Sequence, residues 1–386
     1  MILAKRAATP TGVIADAAVL VDGDRIVAVD AAARIPVPDG AEVVRCDVLL
    51  PGFIDLHVHG AGGQSFGDGP EAARAVARSM GSAGVTTCYA GLGAGATLEA
   101  IAWTVAGAAE AALADTGGAR IAGVFMEGPF ISPARKGAWN AAHLRTPDLA
   151  ELRELVAASQ GRIRRINVAP ELPDALEFIR GAREQGIAVS LGHSNATYQE
   201  ALAGVGAGGS ITNHTYNAMS PLDHRAPGLV GATLTCDALL AELILDHVHV
   251  HPAAATALVR GRGTGGVALI TDGSMLAGMP DGTYDTPART LTVKDGSVRL
   301  PDGTLAGSVA TFDQGLRHAA IIPGMELHGL AAMAATNAAK AMGIDRETGA
   351  IASGLFADLA LLDDRLHVQA TLARGVAVYR RPEAAS

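Results

Sequence analysis

The chain has 386 residues, of which 49% are hydrophobic and 18% charged, and its formal net charge at pH 7 is -9. These values indicate a compact globular protein, and the acidic balance excludes a basic face for binding nucleic acid. The sequence contains neither an apolar run of about 18 residues nor the apolar core of a secretory signal, so we expect no membrane partner. Its three cysteines lack disulfide or CxxC spacing, which favours a cytoplasmic location.

Short strand patterns are concentrated at the two ends of the chain. Residues 19–21 and 26–29 flank Asp22-Gly23-Asp24, which is a hairpin signal, and residues 43–50 have the pattern of a further strand. Three similar patterns close the chain, at 357–362, 367–372 and 376–380. Neither end can form its own core, so we predict one small β-sandwich domain from residues 1–50 and 353–386 together.

Strand and helix patterns alternate across the predicted central domain, residues 51–352. The opening strand runs into residue 58, and later strands are predicted at 85–90, 120–126, 163–169, 187–191, 210–212, 239–245 and 267–271. Helical periodicity is predicted at 70–83, 96–114, 147–158, 173–185, 196–205, 252–260, 311–320 and 327–342. This α/β alternation indicates a parallel (β/α)8 barrel of the TIM type. An open doubly wound sheet is the alternative, although no GxGxxG follows a strand.

Metal-binding and acid–base residues stand where the apolar strand patterns stop. The first run ends in His57 and His59, which share a strand face because side chains alternate along a strand. Later runs end in residues of the same chemical types, namely Glu127, His193, His214 and Asp272. Barrel enzymes carry catalytic residues at the carboxyl ends of their strands, so we expect all of these side chains to converge on one pocket.

The residue types at these strand ends predict metal-assisted hydrolysis. Glu127, His193 and His214 supply one carboxylate and two imidazoles, which is the three-ligand pattern of a catalytic zinc site. Such a metal makes water nucleophilic near neutral pH. We expect Asp272 to accept the proton of that water and later to donate it to a leaving amine. The sequence does not identify the metal, because Zn, Fe, Mn and Co accept similar ligands. We expect Zn.

Several motifs then identify a family by their order along the chain: PGFID, MEGPF, LGHS, NHTYNAMSP, RAPGLVGA, HVH and TDG. On these motifs nearly the whole chain resembles the N-acetylglucosamine-6-phosphate deacetylase family of the amidohydrolase superfamily. The resemblance implies a metal-dependent barrel capped by a β-sandwich. It also implies hydrolysis of the acetamide of N-acetylglucosamine 6-phosphate, with metal ligands at Glu127, His193 and His214 and the proton-transferring acid at Asp272.

The resemblance also implies a site for an amino-sugar phosphate. The expected contacts are Asn217, Ala218, Arg225, Asp246 and His249, with a loop made of Leu305, Ala306 and Gly307. A phosphate dianion favours a planar guanidinium and a second donor, which Arg225 and His249 can provide. Family members can take phosphate-site residues from a neighbouring subunit, so we expect a homodimer.

Two features depart from the family pattern. Some members lack the histidine pair of the first strand and hold one metal, so His57 and His59 predict a second divalent ion beside the first. A histidine often stands two residues after the Lys-Gly of the loop that follows MEGPF, but here Ala138 and Trp139 follow Lys136-Gly137. We expect both to contact substrate, with Trp139 stacking on the sugar ring. His143 either replaces the missing donor or is a solvated loop residue.

Two rival functions stay open on the sequence. Another cyclic-amide or N-acyl amidohydrolase, such as a dihydroorotase or hydantoinase relative, usually bridges two metals with a modified lysine after the fourth strand. That stretch reads RIRRINVAPE here and contains no lysine. A non-catalytic scaffold on the same fold would have lost ligands or the acid, whereas this chain retains them all.

Overall fold

The computed structural model describes residues 1–93, 95–286 and 290–382, so the last four residues of the predicted 353–386 segment lie outside the described chain. Within these ranges, eight parallel strands form one sheet in chain order, which confirms the predicted barrel. Barrel strands 1 to 8 are Phe53–Val58, Val85–Leu92, Arg120–Met126, Ile163–Val168, Ala188–Leu191, Gly209–Thr212, Leu240–Ile244 and Val267–Ile270.

The barrel closes where strand 1 meets the end of strand 8. The backbone N–H of Asp272 donates to the His57 carbonyl at 2.9 Å, and the N–H of His59 donates to the Gly273 carbonyl at 2.8 Å. The Thr271 hydroxyl also donates to the fully buried Asp55 carboxylate at 2.6 Å. These bonds join segments that lie 216 residues apart in sequence, and they bring the first and last candidate site residues together.

Helices connect the barrel strands, and their bounds follow local sequence signals. Thr197 and Glu200, for example, form a capping box that begins the fifth helix. The helices are Pro70–Gly81, Leu98–Ala111, Leu149–Ala158, Ala175–Glu184, Tyr198–Ala207, Gly228–Thr235, Pro252–Arg262, Phe312–Ala320 and Leu327–Ala331, the last continuing through the π-helical turn Ala332–Thr336 into Asn337–Ala341. No helix in the described ranges is long and apolar enough to cross a membrane.

Strands from both ends of the chain form a separate sheet domain. Its seven described strands are Ile2–Thr9, Gly12–Asp22, Arg25–Ala31, Val44–Pro51, Leu359–Leu362, Val368–Ala373 and Val376–Arg380. Val44–Pro51 joins the two chain ends, because it pairs in parallel with Ile2–Thr9 and antiparallel with Leu359–Leu362. The predicted small domain is therefore present, and its seven strands form a single hydrogen-bonded sheet. Apolar residues from both chain ends share one core. The domain boundaries after residue 50 and before residue 353 stay a prediction.

An antiparallel insert follows barrel strand 8 and was not predicted from the sequence. Its described strands are Gly282–Asp285, Thr290–Lys294, Ser297–Arg299 and Leu305–Ser308, and they pack around Leu276, Leu291, Val293 and Val298. The prediction of a loop at Leu305, Ala306 and Gly307 is therefore wrong. This segment is a strand because it pairs with Ser297–Arg299, and the N–H of Ser308 donates to the Asp272 carbonyl at 2.8 Å.

A contact between the two end segments of the sheet domain, at Gly375 and Gly23, yields a stability prediction. A Cβ at Gly375 would lie 2.1 Å from the Gly23 carbonyl oxygen, whereas one at Gly354 would meet open space. Both glycines have positive φ, at 77° and 88°, so alanine is strained at either position. We expect Gly375→Ala to lower the free energy of unfolding by about 1–3 kcal/mol more than Gly354→Ala, because of the added clash. Urea unfolding measures the difference, and equal losses would contradict this contact.

Candidate active site

The six strand-end residues singled out in the sequence meet at the carboxyl end of the barrel. Glu127 follows barrel strand 3 directly and occupies the centre of the cluster. Its Oε1 lies 3.0 Å from Nε2 of His214, 3.2 Å from Nε2 of His193 and 3.3 Å from Nε2 of His57. Three histidines from three different strands thus surround one buried carboxylate oxygen.

A second, overlapping group lies between barrel strands 1 and 8. The Nε2 atoms of His57 and His59 lie 3.2 Å apart, and each lies 3.4 Å from Oδ1 of Asp272. The other oxygen of Glu127, Oε2, lies 3.2 Å from Nε2 of His59. Two ligand sets result, since the donor atoms of His57, Glu127 and His214 lie within 4.8 Å of one another, as do those of His57, His59 and Asp272.

The outer nitrogens of these imidazoles determine which atoms face the centre. The Nδ1 atoms of three rings contact fixed oxygens: His193 the Arg135 carbonyl at 2.8 Å, His59 the Gly91 carbonyl at 3.0 Å, and His57 the Glu242 carboxylate at 3.2 Å. Each contact places the proton on Nδ1 and leaves a lone pair on Nε2. Several lone pairs and two carboxylates therefore point at one another, which is unfavourable unless a cation lies between them. The donor set fits a divalent metal.

The electrostatics of the cluster favour positive charge at its centre. Burial by itself lowers the pKa of His59, but hydrogen bonds to Asp272 and Glu127 outweigh it and raise that pKa to about 9. Burial also opposes protonation of His57, yet the charges of Asp272 and Glu127 hold its pKa well above the usual range. For Glu127 the burial penalty is outweighed by the histidine charges, so its pKa lies well below the usual range. The positive charge that the two carboxylates favour can come from protons on the histidines or from a bound metal ion.

The loop at 128–145 brings Trp139 to this cluster. The indole packs edge-on to the His193 ring at 6.5 Å between centroids, and it lies over Gly128, where a Cβ would approach it to 3.2 Å. Ala138 precedes it in the same loop and is partly buried against the core of the strand insert. The His143 ring instead lies beside Asn140, with 3.4 Å between their nitrogens. The structure thus brings Trp139, and not His143, next to the histidine cluster.

The remaining predicted substrate residues lie around the cluster at different depths. Gly307 lies against Asp272, because a Cβ there would come within 3.1 Å of the Asp272 carbonyl. The carbonyl of Ala218 accepts from the N–H of Ser194 at 3.1 Å, which places it beside His193. Asn217 donates through its amide to the His214 carbonyl at 3.2 Å.

Asp246 and His249 form a pair next to this region, and Arg225 does not join it. The ring of His249 donates from Nδ1 to Asp246 at 2.6 Å, and both side chains are almost fully buried. Burial lowers the pKa of His249, but the bond to Asp246 outweighs it and the net shift is upward. Arg225 is exposed and contacts its neighbour His224. Its role at the phosphate stays a prediction.

The sequence analysis missed buried polar residues beneath the cluster. Arg165 and Glu242 form a fully buried ion pair, and Asn213 donates to Glu127 at 3.1 Å. The available signal was a charged residue inside an apolar strand, as in IRRINV and LAELI. Such residues are rarely buried unless they are paired.

A model of the amidohydrolase family matches residues 48–378, and the chain belongs to this family. It is 33% identical to N-acetylglucosamine-6-phosphate deacetylase of Lysinibacillus sphaericus, with 85% of this chain and 84% of the relative covered. It is 36% identical to N-acetylgalactosamine-6-phosphate deacetylase of Escherichia coli O157:H7, with 88% and 89% covered. The structure superimposes with a TM-score of 0.91 on a mutant N-acetyl-D-glucosamine-6-phosphate deacetylase of Mycobacterium smegmatis in complex with N-acetyl-D-glucosamine-6-phosphate, at 31% identity and 98% coverage of each chain.

The overlapping ligand sets predict how metal content responds to mutation. His57→Ala combined with His59→Ala should lower the bound divalent metal by about one equivalent, because Glu127, His193 and His214 retain a three-ligand site. Metal analysis of the purified protein measures the change. The control is His247→Ala with His318→Ala. These two rings stack with their centroids 3.8 Å apart and lie outside the cluster, so their loss should leave the metal content unchanged. Full metal content in the first variant would make the His57 and His59 pair structural.

Proposed function

We propose that the chain is a metal-dependent deacetylase that converts N-acetyl-D-glucosamine 6-phosphate and water into D-glucosamine 6-phosphate and acetate. The observation that carries the proposal is the convergence of four histidine Nε2 atoms and two carboxylates at the carboxyl end of an amidohydrolase barrel. Relatives with deacetylase activity at this coverage make the specific reaction the best-supported one. A dihydroorotase-type site and a non-catalytic scaffold are both less consistent with this residue set.

The proposal assigns Glu127, His193 and His214 to one divalent ion, and His57, His59 and Asp272 to a second. A bound divalent ion supplies Lewis acidity, which polarises the acetamide carbonyl and makes water a nucleophile near neutral pH. We propose zinc, because a site of imidazole nitrogens with one carboxylate is typical of it, with Fe, Mn or Co as alternatives. Whether one or both sets are filled is tested by the metal analysis described above.

Asp272 is the proposed proton carrier. It is held by its backbone, since its N–H donates to the His57 carbonyl and its carbonyl accepts from Ser308. Burial opposes ionisation of Asp272, but the positive charge of His57 and the hydrogen bond from His59 outweigh it and lower its pKa. A divalent ion held by the same histidines would act in the same direction, so the group can begin the reaction as a base. It accepts a proton from the attacking water as the water oxygen bonds to the acetamide carbonyl carbon. The C–N bond then breaks, the acetyl group leaves as acetate, and the same proton passes to the departing amine.

The proposed substrate contacts surround this centre. Trp139 offers an aromatic face for the apolar side of the sugar ring. His249 donates one ring N–H to Asp246, and its raised pKa favours the imidazolium form, whose second N–H is then available to a phosphate oxygen. We assign sugar contacts to Ala138, Asn217 and Ala218 and to Leu305, Ala306 and Gly307, as predicted.

A homodimer is a further part of the proposal, and it rests on the family resemblance, in which phosphate-site residues can come from a neighbouring subunit. Arg225 is exposed and its guanidinium contacts the His224 ring, so the side chain is accessible to a neighbouring subunit. We therefore propose that Arg225 binds the phosphate across a subunit contact. We also propose a cytoplasmic location, which agrees with three free cysteines.

Acetate release from matched sugars tests the proposed function. The metal-loaded enzyme should release acetate from N-acetylglucosamine 6-phosphate with a higher kcat/KM than from N-acetylgalactosamine 6-phosphate or unphosphorylated N-acetylglucosamine. Preference for the galactosamine epimer would reassign the substrate within the same chemistry. No acetate release from any of these sugars by metal-loaded protein would refute the proposal.

Replacing the proposed proton carrier should separate binding from chemistry. Asp272→Asn should lower kcat by about 10²–10⁴-fold, because general acid–base groups contribute that much, while substrate still binds. Steady-state kinetics and calorimetric titration with the substrate measure the two effects. The matched control is Asp295→Asn, an exposed acid in the strand insert, which should keep wild-type turnover. Turnover of Asp272→Asn within a few-fold of wild type would remove it from this role.

Arg225→Ala tests phosphate recognition. A hydrogen bond to a charged group contributes roughly 1.5–3 kcal/mol, so kcat/KM for the phosphorylated sugar should fall about 10- to 150-fold and that for the plain sugar should not. Equal losses on both sugars would make Arg225 structural.

A mixing experiment tests the proposed position of Arg225 across a subunit contact. Combining Arg225→Ala and Asp272→Asn proteins should restore part of the activity, because one of the two sites in a mixed dimer then has both residues intact. No recovery, with subunit exchange confirmed independently, would place the phosphate site within one subunit.

A further inference from the structure

The interior of the barrel contains an ion pair that the proposed chemistry does not use. Arg165 on barrel strand 4 and Glu242 on barrel strand 7 are in direct contact, and both side chains are fully buried. The guanidinium also lies 4.0 Å above the ring of Phe125. Taking two charges out of water is costly, and a well-packed apolar pair of similar volume often gives equal or greater stability. Fold stability alone therefore explains the pair poorly.

Glu242 connects the pair to two candidate metal ligands. Its Oε2 accepts from Nδ1 of His57 at 3.2 Å and from the backbone N–H of His214 at 3.1 Å. The first bond places the proton on Nδ1 of His57 and turns the lone pair of Nε2 toward the cluster centre. The second bond fixes the backbone at His214, two residues after barrel strand 6 ends. One carboxylate oxygen thus orients ligands from two strands.

Arg165 connects the pair to a third candidate ligand through an amide. Its guanidinium donates to Oδ1 of Asn213 at 2.6 Å and to the Leu56 carbonyl at 3.0 Å. The first bond fixes the amide orientation of Asn213, whose Nδ2 then donates to Oε1 of Glu127 at 3.1 Å. The same oxygen of Glu127 is the atom that faces the histidine Nε2 atoms.

We propose that Arg165 and Glu242 are positioning residues, and that their buried ion pair orients His57, His214 and Glu127 so that their donor atoms are preorganised for a divalent cation. This proposal rests on the proposed function, in which Glu127 and His214 hold one divalent ion and His57 holds a second. Partners of ligating groups typically affect metal affinity by about 10–100-fold when they are removed.

The test separates positioning from stability with a double variant. Arg165→Met with Glu242→Leu replaces both charges by apolar side chains and leaves neither charge of the pair without its partner. The groups that the pair binds lose a partner, so the metal-free protein should unfold at a lower temperature than the wild type but remain folded. Its dissociation constant for Co²⁺, measured by competition with a chelator, should rise about 10–100-fold, and the visible spectrum of bound Co²⁺ should change. A double variant that is folded and has wild-type Co²⁺ affinity and spectrum would overturn the proposal.

Two further variants keep the result unambiguous. Glu242→Gln preserves size and removes the charge, and it should weaken Co²⁺ binding by about 10-fold with a changed spectrum. If neither this variant nor the double variant folds, the pair is structural and the proposal fails. The control is Arg317→Met with Asp313→Leu, an ion pair on the helix Phe312–Ala320, which should leave Co²⁺ affinity unchanged. Failure of the wild-type chain to bind Co²⁺ would instead refute the proposed metal site itself.

Discussion

The junction between barrel strands 1 and 8 is the constraint on which the site depends. The Asp55 carboxylate is fully buried there and accepts from the Thr271 hydroxyl and from the backbone N–H of His57. Burial raises its pKa to about 7, although the hydrogen bonds from Thr271 and His57 act in the opposite direction. The same junction aligns His57 with Asp272, so barrel closure and site assembly are one structural event. Barrel strand 1 begins one residue after the sheet-domain strand Val44–Pro51, so the junction lies close in sequence to the connection between the two domains.

The sequence predicted the barrel and its site residues because both rest on local signals. Apolar runs of strand length alternate with helical periodicity, and the residue at which an apolar run stops lies at the carboxyl end of a strand. Glu127 and His193 could be selected in this way without knowledge of any distance. Their convergence then follows from the fold, since parallel strands in a barrel end on the same face.

What the sequence did not predict depends on contacts between distant segments. The helix Gly228–Thr235 was missed because glycine and β-branched residues have weak helix propensity, and buried packing of Leu229, Val230 and Ala232 compensates. The strand insert was missed because its short strands are stabilised by pairing with one another. The contact of Arg165 with Glu242 joins residues 77 positions apart, and neither strand pattern identifies the partner of its charged residue.

The residues proposed for the chemistry and those proposed for substrate choice lie on different parts of this molecule. The candidate metal ligands and Asp272 sit at or next to strand ends and are held by backbone bonds or buried partners such as Asn213 and Glu242. The residues proposed to contact the sugar belong instead to connecting segments, as with Trp139, or to the insert, as with Gly307. Glucosamine and galactosamine differ only in the configuration at C4, far from the acetamide that reacts. On the proposed assignment, discrimination between their 6-phosphates arises in these segments. The insert is also bonded to the centre, since the N–H of Ser308 donates to the Asp272 carbonyl, so changes in substrate choice there are coupled to the position of the proposed proton carrier.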